Sequence, residues 1–121
     1  MNKKIQTYQD LIVWQEGMVL AKFVYEVCSN YPDEEKYGIV IQMKRAAVSI
    51  PSNIAEGFRR SHKKEFKQFL SIARGSLAEL ETQVMLSYNL GFLNNEIKER
   101  LLSLLSQLGR KITALMKSIV P

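Results

Sequence analysis

Residues Gln42 to Arg60 read QMKRAAVSIPSNIAEGFRR, and this stretch decides the fold. It starts as a patterned helix: Ile39, Met43, Ala46, Ile50 and Ile54 recur at steps of three and four, the spacing of a core-facing helical stripe. A second line, Arg45, Ser49, Asn53, Glu56 and Arg60, runs beside it at steps of four and three. Pro51 stands in the middle. A proline inside a helix removes one backbone donor and clashes with the carbonyl four residues back, here that of Ala47. Two readings follow: a continuous helix kinked near Pro51, or two short helices. The continuous one is favoured because tertiary packing can hold a defect worth about 3 kcal/mol. Ser49 and Asn53 are placed to hydrogen-bond backbone groups freed nearby.

The same periodicity extends both ways. Upstream, Leu11, Trp14, Met18, Ala21, Tyr25 and Cys28 alternate at three and four, a heptad-like seam. Asn30-Tyr31-Pro32-Asp33 closes that helix. Asp33 is the expected N-cap of a second helix running from about Glu34 to Phe58, with Glu34 and Glu35 suited to its first turn. Gly57 to Ser61 is the expected turn, and Ser61 the expected cap of helix three. Phe66, Leu70, Ala73, Leu77, Leu80 and Val84 form that helix's seam, in which Gly75 would permit close helix approach. Gly91 fits a C′ position. Asn94 or Asn95 caps helix four, with Ile97, Leu101, Leu104, Leu108, Ile112, Leu115 and Ile119 as its seam. Four amphipathic helices with short connections predict an all-α, antiparallel up-down-up-down four-helix bundle. The 121 residues make one domain over 1–121, with an ordered core of about 8–119.

Composition narrows the function. The single cysteine, Cys28, excludes an internal disulfide and reads as a buried thiol. The apolar run Leu11 to Trp14 is too short for a signal peptide or a membrane span, so a cytoplasmic protein without membrane association is expected. The one histidine, His62, lies in a turn, and there is no Glu-x-x-His, P-loop, Cys-x-x-Cys or Gly-x-Ser-x-Gly. No metal, cofactor or catalytic constellation is implied, and a non-enzyme is expected.

The net charge of +5 is concentrated. Residues 1–41 carry four basic and six acidic groups (−2), residues 42–75 eight and two (+6), and residues 76–121 five and four (+1). Arg59, Arg60, Lys63, Lys64 and Lys67 put five cations within nine residues at one turn. Such a cluster can contact several phosphates without reading sequence. The predicted topology brings Lys3, Lys4, Lys111 and Lys117 to the same end and Asp33, Glu34, Glu35, Glu96 and Glu99, diluted by Lys36, Lys98 and Arg100, to the other. A solvated, solubilising surface is the plain alternative. Phe58 and Phe66 flank the cluster, either stacking on bases or packing the bundle end. Along the polar line, Glu56 either pairs with Arg45, Arg59 or Arg60, or joins Arg45, Ser49 and Asn53 in a buried or subunit-facing network.

Outside their main seams the helices carry further apolar residues: Ile12, Val13, Leu20, Val24 and Val27 in the first, Phe69, Ile72 and Met85 in the third, Leu102, Leu105 and Met116 in the fourth. Soluble monomers rarely expose apolar patches beyond a few hundred Å². These second stripes therefore predict a closed cyclic homo-oligomer, unless widened seams absorb them.

The segments YQDLIVWQEGMVLA, YPDEEKYGIVIQMKRAAVSIPSNIAEGFRRS and FLSIARGSLAELETQV, with LGFL after them, resemble the bacterial four-helix-bundle proteins encoded within intervening sequences of 23S ribosomal RNA genes. That family is similar in turn to the accessory variability protein of diversity-generating retroelements. The resemblance spans Tyr8 to Ile119 and is carried most specifically by RAAVSIPSNIAEG, within which Arg45, Ser49, Pro51, Asn53, Glu56 and Gly57 match the family motif. It implies a homopentameric ring with a basic surface able to meet nucleic acid. Two functions remain: an adaptor that contacts RNA or DNA through its basic end, and an oligomeric scaffold for an acidic protein partner.

Overall fold

The computed structural model describes residues 4–120, so Lys3 lies outside the described residues. Four α-helices make the bundle: α1 (Ile12–Cys28), α2 (Ile39–Phe58), α3 (Lys63–Asn89) and α4 (Asn95–Ser118), with short 3-10 turns at Tyr8–Asp10 and Asp33–Glu35. No strand occurs among the described residues. Each helix packs on its neighbours in chain order, and α1 also meets α4. Cross-helix pairs give the directions. Tyr25 meets Lys44 while Gly17 faces Ile50 and Pro51, Gly57 faces Phe66 and Phe69 while Met43 meets Ser87, Arg74 meets Thr113 while Tyr88 meets Lys98, and Glu16 meets Lys111 while Phe23 meets Arg100. In every pair one number rises as the other falls, so adjacent helices are antiparallel.

The core runs the length of the bundle. Val24, Met43, Ile50, Ile54, Leu70, Leu80, Val84, Leu101 and Ile112 are wholly buried, with Leu20 and Leu108 nearly so. The expected seams of helices three and four are its spine, joined by Leu105. The seam expected for helix one is buried only in part: Leu11, Ala21 and Cys28 are buried, but the fuller buried stripe is a neighbouring one. Val13, Gly17, Leu20, Val24 and Val27 face the core, whereas Met18 and Tyr25 are each 46% exposed. Both stripes have helical spacing. The choice falls to Gly17, where the missing side chain lets α1 approach Ile50 and Pro51 of α2.

α2 passes unbroken through Pro51, which is buried. Asn53 Nδ2 donates to the Ser49 carbonyl at 2.7 Å, which is not the Ala47 carbonyl that Pro51 leaves without its helical donor. The Ser49 hydroxyl instead bonds Ser76 of α3. α2 starts at Ile39, not Glu34: residues 33–35 form a 3-10 turn, and no side chain, Asp33 included, caps it. Ser61 does not cap α3 either, since His62 is the N-cap residue and makes no side-chain cap bond. Asn94 does cap α4, its Oδ1 accepting from Ile97 N at 2.8 Å. At the end of α3, Gly91 has φ +82°; its N–H reaches Tyr88 O at 3.0 Å and Phe92 N reaches Ser87 O at 2.9 Å. That double closure is a Schellman motif, which needs the left-handed residue glycine supplies.

Candidate nucleic-acid interface

The α2–α3 turn stands at one end of the bundle, with the 3-10 turn at Tyr8 and the C-terminal part of α4. Arg59 at this turn lays its guanidinium 5.2 Å from the Tyr8 ring centroid, and Ile119 shares a hollow of about 430 Å³ with Lys63, Lys64 and Lys67. The other end joins the two remaining connections, where the rings of Tyr31 and Phe92 lie 5.4 Å apart. Asp33, Glu34 and Glu35 belong to that far end.

Gly57 sets the turn's geometry. It is buried inside α2, before the turn rather than in it. A Cβ built there would lie 2.5 Å from Phe69 Cβ and 3.1 Å from Phe66 Cδ1. Absence of a side chain thus brings α3 against the last turn of α2. Phe58 and Phe66 meet edge to face at 5.8 Å, half-buried, and so close the bundle end. Gly75 has no such role, because it is exposed and nothing lies within 4 Å of its notional Cβ.

The five cations are not equivalent. Arg60 is compensated: Nη2 meets Glu56 Oε1 at 3.0 Å, Nη1 meets Glu65 Oε2 at 3.8 Å, and the guanidinium covers Phe69. Among the described residues Arg59 has only an aromatic partner, and no carboxylate there cancels its charge. Lys63, Lys64 and Lys67 pair with no carboxylate among the described residues. They occupy the first turns of a 27-residue helix, whose N-terminal dipole also favours an anion. Lys111, expected in this cluster, is neutralised by Glu16 of α1.

The polar line of α2 divides. Glu56 belongs with Arg60. Ser49, Asn53 and Ser76 form a separate group, in which Ser76 Oγ also reaches the Ile72 carbonyl at 3.3 Å. Arg45 is exposed and joins neither, lining a shallow polar depression with Gln42, Glu79 and Gln83, whose Oε1 is buried without a hydrogen-bond partner. Sequence reasoning missed Ser76, as well as Arg74 and Arg110 on a neighbouring groove. The latter signal was legible as helical spacing, Lys67–Ser71–Arg74 on α3 and Arg110–Thr113–Lys117 on α4.

Cys28 is buried, and burial pushes its thiol up to about 11, the nearby Lys44 charge opposing this only in part. Burial likewise raises the Tyr31 phenol to about 12, tempered by the Ser87 hydroxyl. Among the described residues no group of His, Cys, Asp and Glu could hold a metal, and no helix is long and apolar enough to cross a membrane.

A bundle of four antiparallel helices with a cationic turn is thus the class of protein in hand. The chain belongs to the 23S rRNA-intervening sequence protein family, whose model matches residues 9–114. Among solved structures it is similar to a protein of unknown function from the S23 ribosomal protein family of Bacteroides thetaiotaomicron VPI-5482. That pair shares 19% identity with a TM-score of 0.83, covering 88% of this chain and 96% of the other. At such identity the likeness concerns the fold. No functionally curated protein matches the chain.

Proposed function

We propose that this protein is a non-enzymatic, homo-oligomeric adaptor that binds the backbone of RNA or DNA through the basic end of its bundle. The observation that carries this reading is the set of cations Lys63, Lys64 and Lys67, paired with no carboxylate among the described residues, beside Arg59 at the turn where the excess charge concentrates. Ammonium groups on flexible stems suit phosphates and read no bases. Arg60, held between two carboxylates, positions the turn instead of contacting ligand.

Self-association is supported by apolar surface on two sides. Ile12, Met18, Val19 and Tyr25 of α1, with Val48 of α2, are 42–61% exposed, as are Ile72, Met85 and Leu86 of α3. Different surfaces on one subunit suit a head-to-tail ring, in line with the pentamer that the family resemblance implies. Light scattering gives the mass: 13.9 kDa would refute assembly, and a mass five times larger is expected.

Binding is tested by fluorescence anisotropy with structured RNA across a salt series. Affinity should fall steeply with salt, and the triple variant Lys63→Gln, Lys64→Gln, Lys67→Gln should flatten that dependence by about 2–3 in slope. No binding at low salt refutes the reading. Protein partners recovered equally before and after nuclease treatment, with no nucleic acid bound, would establish the acidic-partner scaffold in its place.

A further inference from the structure

The lysine turn is not the only cationic surface. Between α3 and α4 runs a groove of about 490 Å³ lined by Arg74, Arg110 and Lys117, with Ser106, Gly109 and Thr113. It holds three cations and two hydroxyls, and no carboxylate or aromatic side chain lines it. Arg74 Nη1 donates to Thr113 Oγ1 at 3.3 Å and Arg110 Nη1 to Ser106 Oγ at 3.1 Å. Neutral hydroxyls orient these guanidinium groups without cancelling their charge. Among the described residues no carboxylate pairs with Arg74, Arg110 or Lys117.

The groove continues the basic end. On α3, Lys67, Ser71 and Arg74 follow at steps of four and three, one face of the helix. Lys67 and Ser71 line the lysine hollow and Arg74 lines the groove. On α4, Lys117 lines the groove and Ile119 the hollow. Glu81, two turns beyond Arg74 on the same face, bounds the track. From Lys63 to Arg74 the helix rises about 16 Å at 1.5 Å per residue. Along a duplex, one strand presents a phosphate about every 3.4 Å, so this length matches roughly five nucleotides.

We infer that the α3–α4 groove, joined to the lysine turn, is a track for the phosphate backbone of a double-stranded nucleic acid. This rests on the nucleic-acid reading above and specifies its ligand. Recognition of single strands usually relies on rings that stack with bases. Here the rings near the turn are engaged: Phe58 with Phe66, Phe69 under Arg60, Tyr8 under Arg59. What remains exposed is charge, which suits a regular duplex backbone.

The test uses the full chain and a short fluorescein-labelled duplex, with its single strand as comparison, in anisotropy titrations over a salt series. The pair Arg110→Gln, Lys117→Gln should lower the slope of log K against log salt by about 1.8, two contacts at about 0.9 each. The pair Lys22→Gln, Lys36→Gln, removing equal charge elsewhere, should leave it unchanged. Arg110→Lys with Lys117→Arg should keep the wild-type slope, and thermal melts monitor the fold. An unchanged slope in the groove pair, while Lys63→Gln with Lys67→Gln lowers it, overturns the track and leaves the lysine-turn reading standing. Tighter binding of the single strand than of the duplex overturns the choice of ligand. No binding of either by the wild type refutes the underlying reading itself.

Discussion

Substituting alanine for Gly57 should destabilise the bundle, while the same change at Gly17 should not. Both glycines are buried in helices at helix–helix contacts, α1 against α2 for Gly17 and α2 against α3 for Gly57. Either change gains helix propensity of about 0.8–1.0 kcal/mol. The contacts then separate them. At Gly17 the new Cβ meets Ile50 Cγ2, Pro51 Cβ and Pro51 Cδ, all at 3.5 Å, an ordinary van der Waals contact. At Gly57 it lies 2.5 Å from Phe69 Cβ and 3.3 Å from the Phe66 carbonyl oxygen. Carbon atoms sit best at about 3.5–4.0 Å, so α3 must retreat by about 1 Å or more. Rotamer change cannot relieve this, because a Cβ and a carbonyl move only with their backbone. Overpacking of this kind costs about 1–3 kcal/mol, and a backbone clash belongs at the upper end. We expect Gly57→Ala to lose about 2 kcal/mol net and Gly17→Ala to gain up to about 1 kcal/mol. Urea unfolding followed by circular dichroism, at one fixed subunit concentration so that association does not distort the comparison, measures both. Gly57→Ala as stable as the wild type would refute the reasoning.

Removing the α4 cap with Asn94→Ala should cost about 1 kcal/mol in the same unfolding assay. Leu80→Ala, at a wholly buried position, should cost about 2–5 kcal/mol, whereas Ile72→Ala, 52% exposed, should leave subunit folding intact and weaken association seen by light scattering. Alkaline pH should unfold the protein. Cys28 and Tyr31 have raised pKa values when folded, so their contribution is full below the unfolded values near 9 and 10. It is lost as pH rises towards about 11 and about 12, because the unfolded chain then binds fewer protons. Melting temperature should fall above pH 9, less steeply in Cys28→Ala.

Helices three and four were legible because each carries a single dominant apolar stripe ended by a clear signal, Gly91 after one and Asn94 before the other. Helix one was harder. It is apolar on two faces, and the buried stripe runs through Gly17, which a count of apolar side chains passes over. Its importance lies in the close approach of Pro51, a tertiary fact. The start of α2 was misread for a related reason. Asp33, Glu34 and Glu35 have the chemistry of a first helical turn, yet Gly38 interposes with φ −104° and ψ −116°, outside the helical region. At the site, sequence spacing found the cations without their partners. Glu65 is five residues from Arg60 and Glu16 lies 95 residues from Lys111, so only the fold shows which charges are cancelled.

The placement of the uncancelled charge bears on how assembly and binding can coexist. Exposed apolar residues lie on α1 and the adjoining part of α2, where Tyr8, Trp14, Met18, Val48 and Pro51 line a groove. The cationic groove lies between α3 and α4. In this antiparallel arrangement α1 and α3 are diagonal, as are α2 and α4, so the α1–α2 and α3–α4 grooves lie on opposite sides of the bundle. Association that covers the α1–α2 groove leaves the cations open where its counterpart on α3 is the face of Ile72 and Leu86, which at about 100° per residue points away from Lys67, Ser71 and Arg74. A ring would then repeat the same cationic track once per subunit, and several weak phosphate contacts would act at high effective concentration. On this reasoning a variant that abolishes assembly while keeping the groove, such as Val19→Glu with Met18→Glu, should retain the salt slope of a single track and lose affinity for long duplexes far more than for short ones. Equal losses on long and short duplexes, in titrations of the monomeric variant, would show that assembly and binding do not reinforce each other.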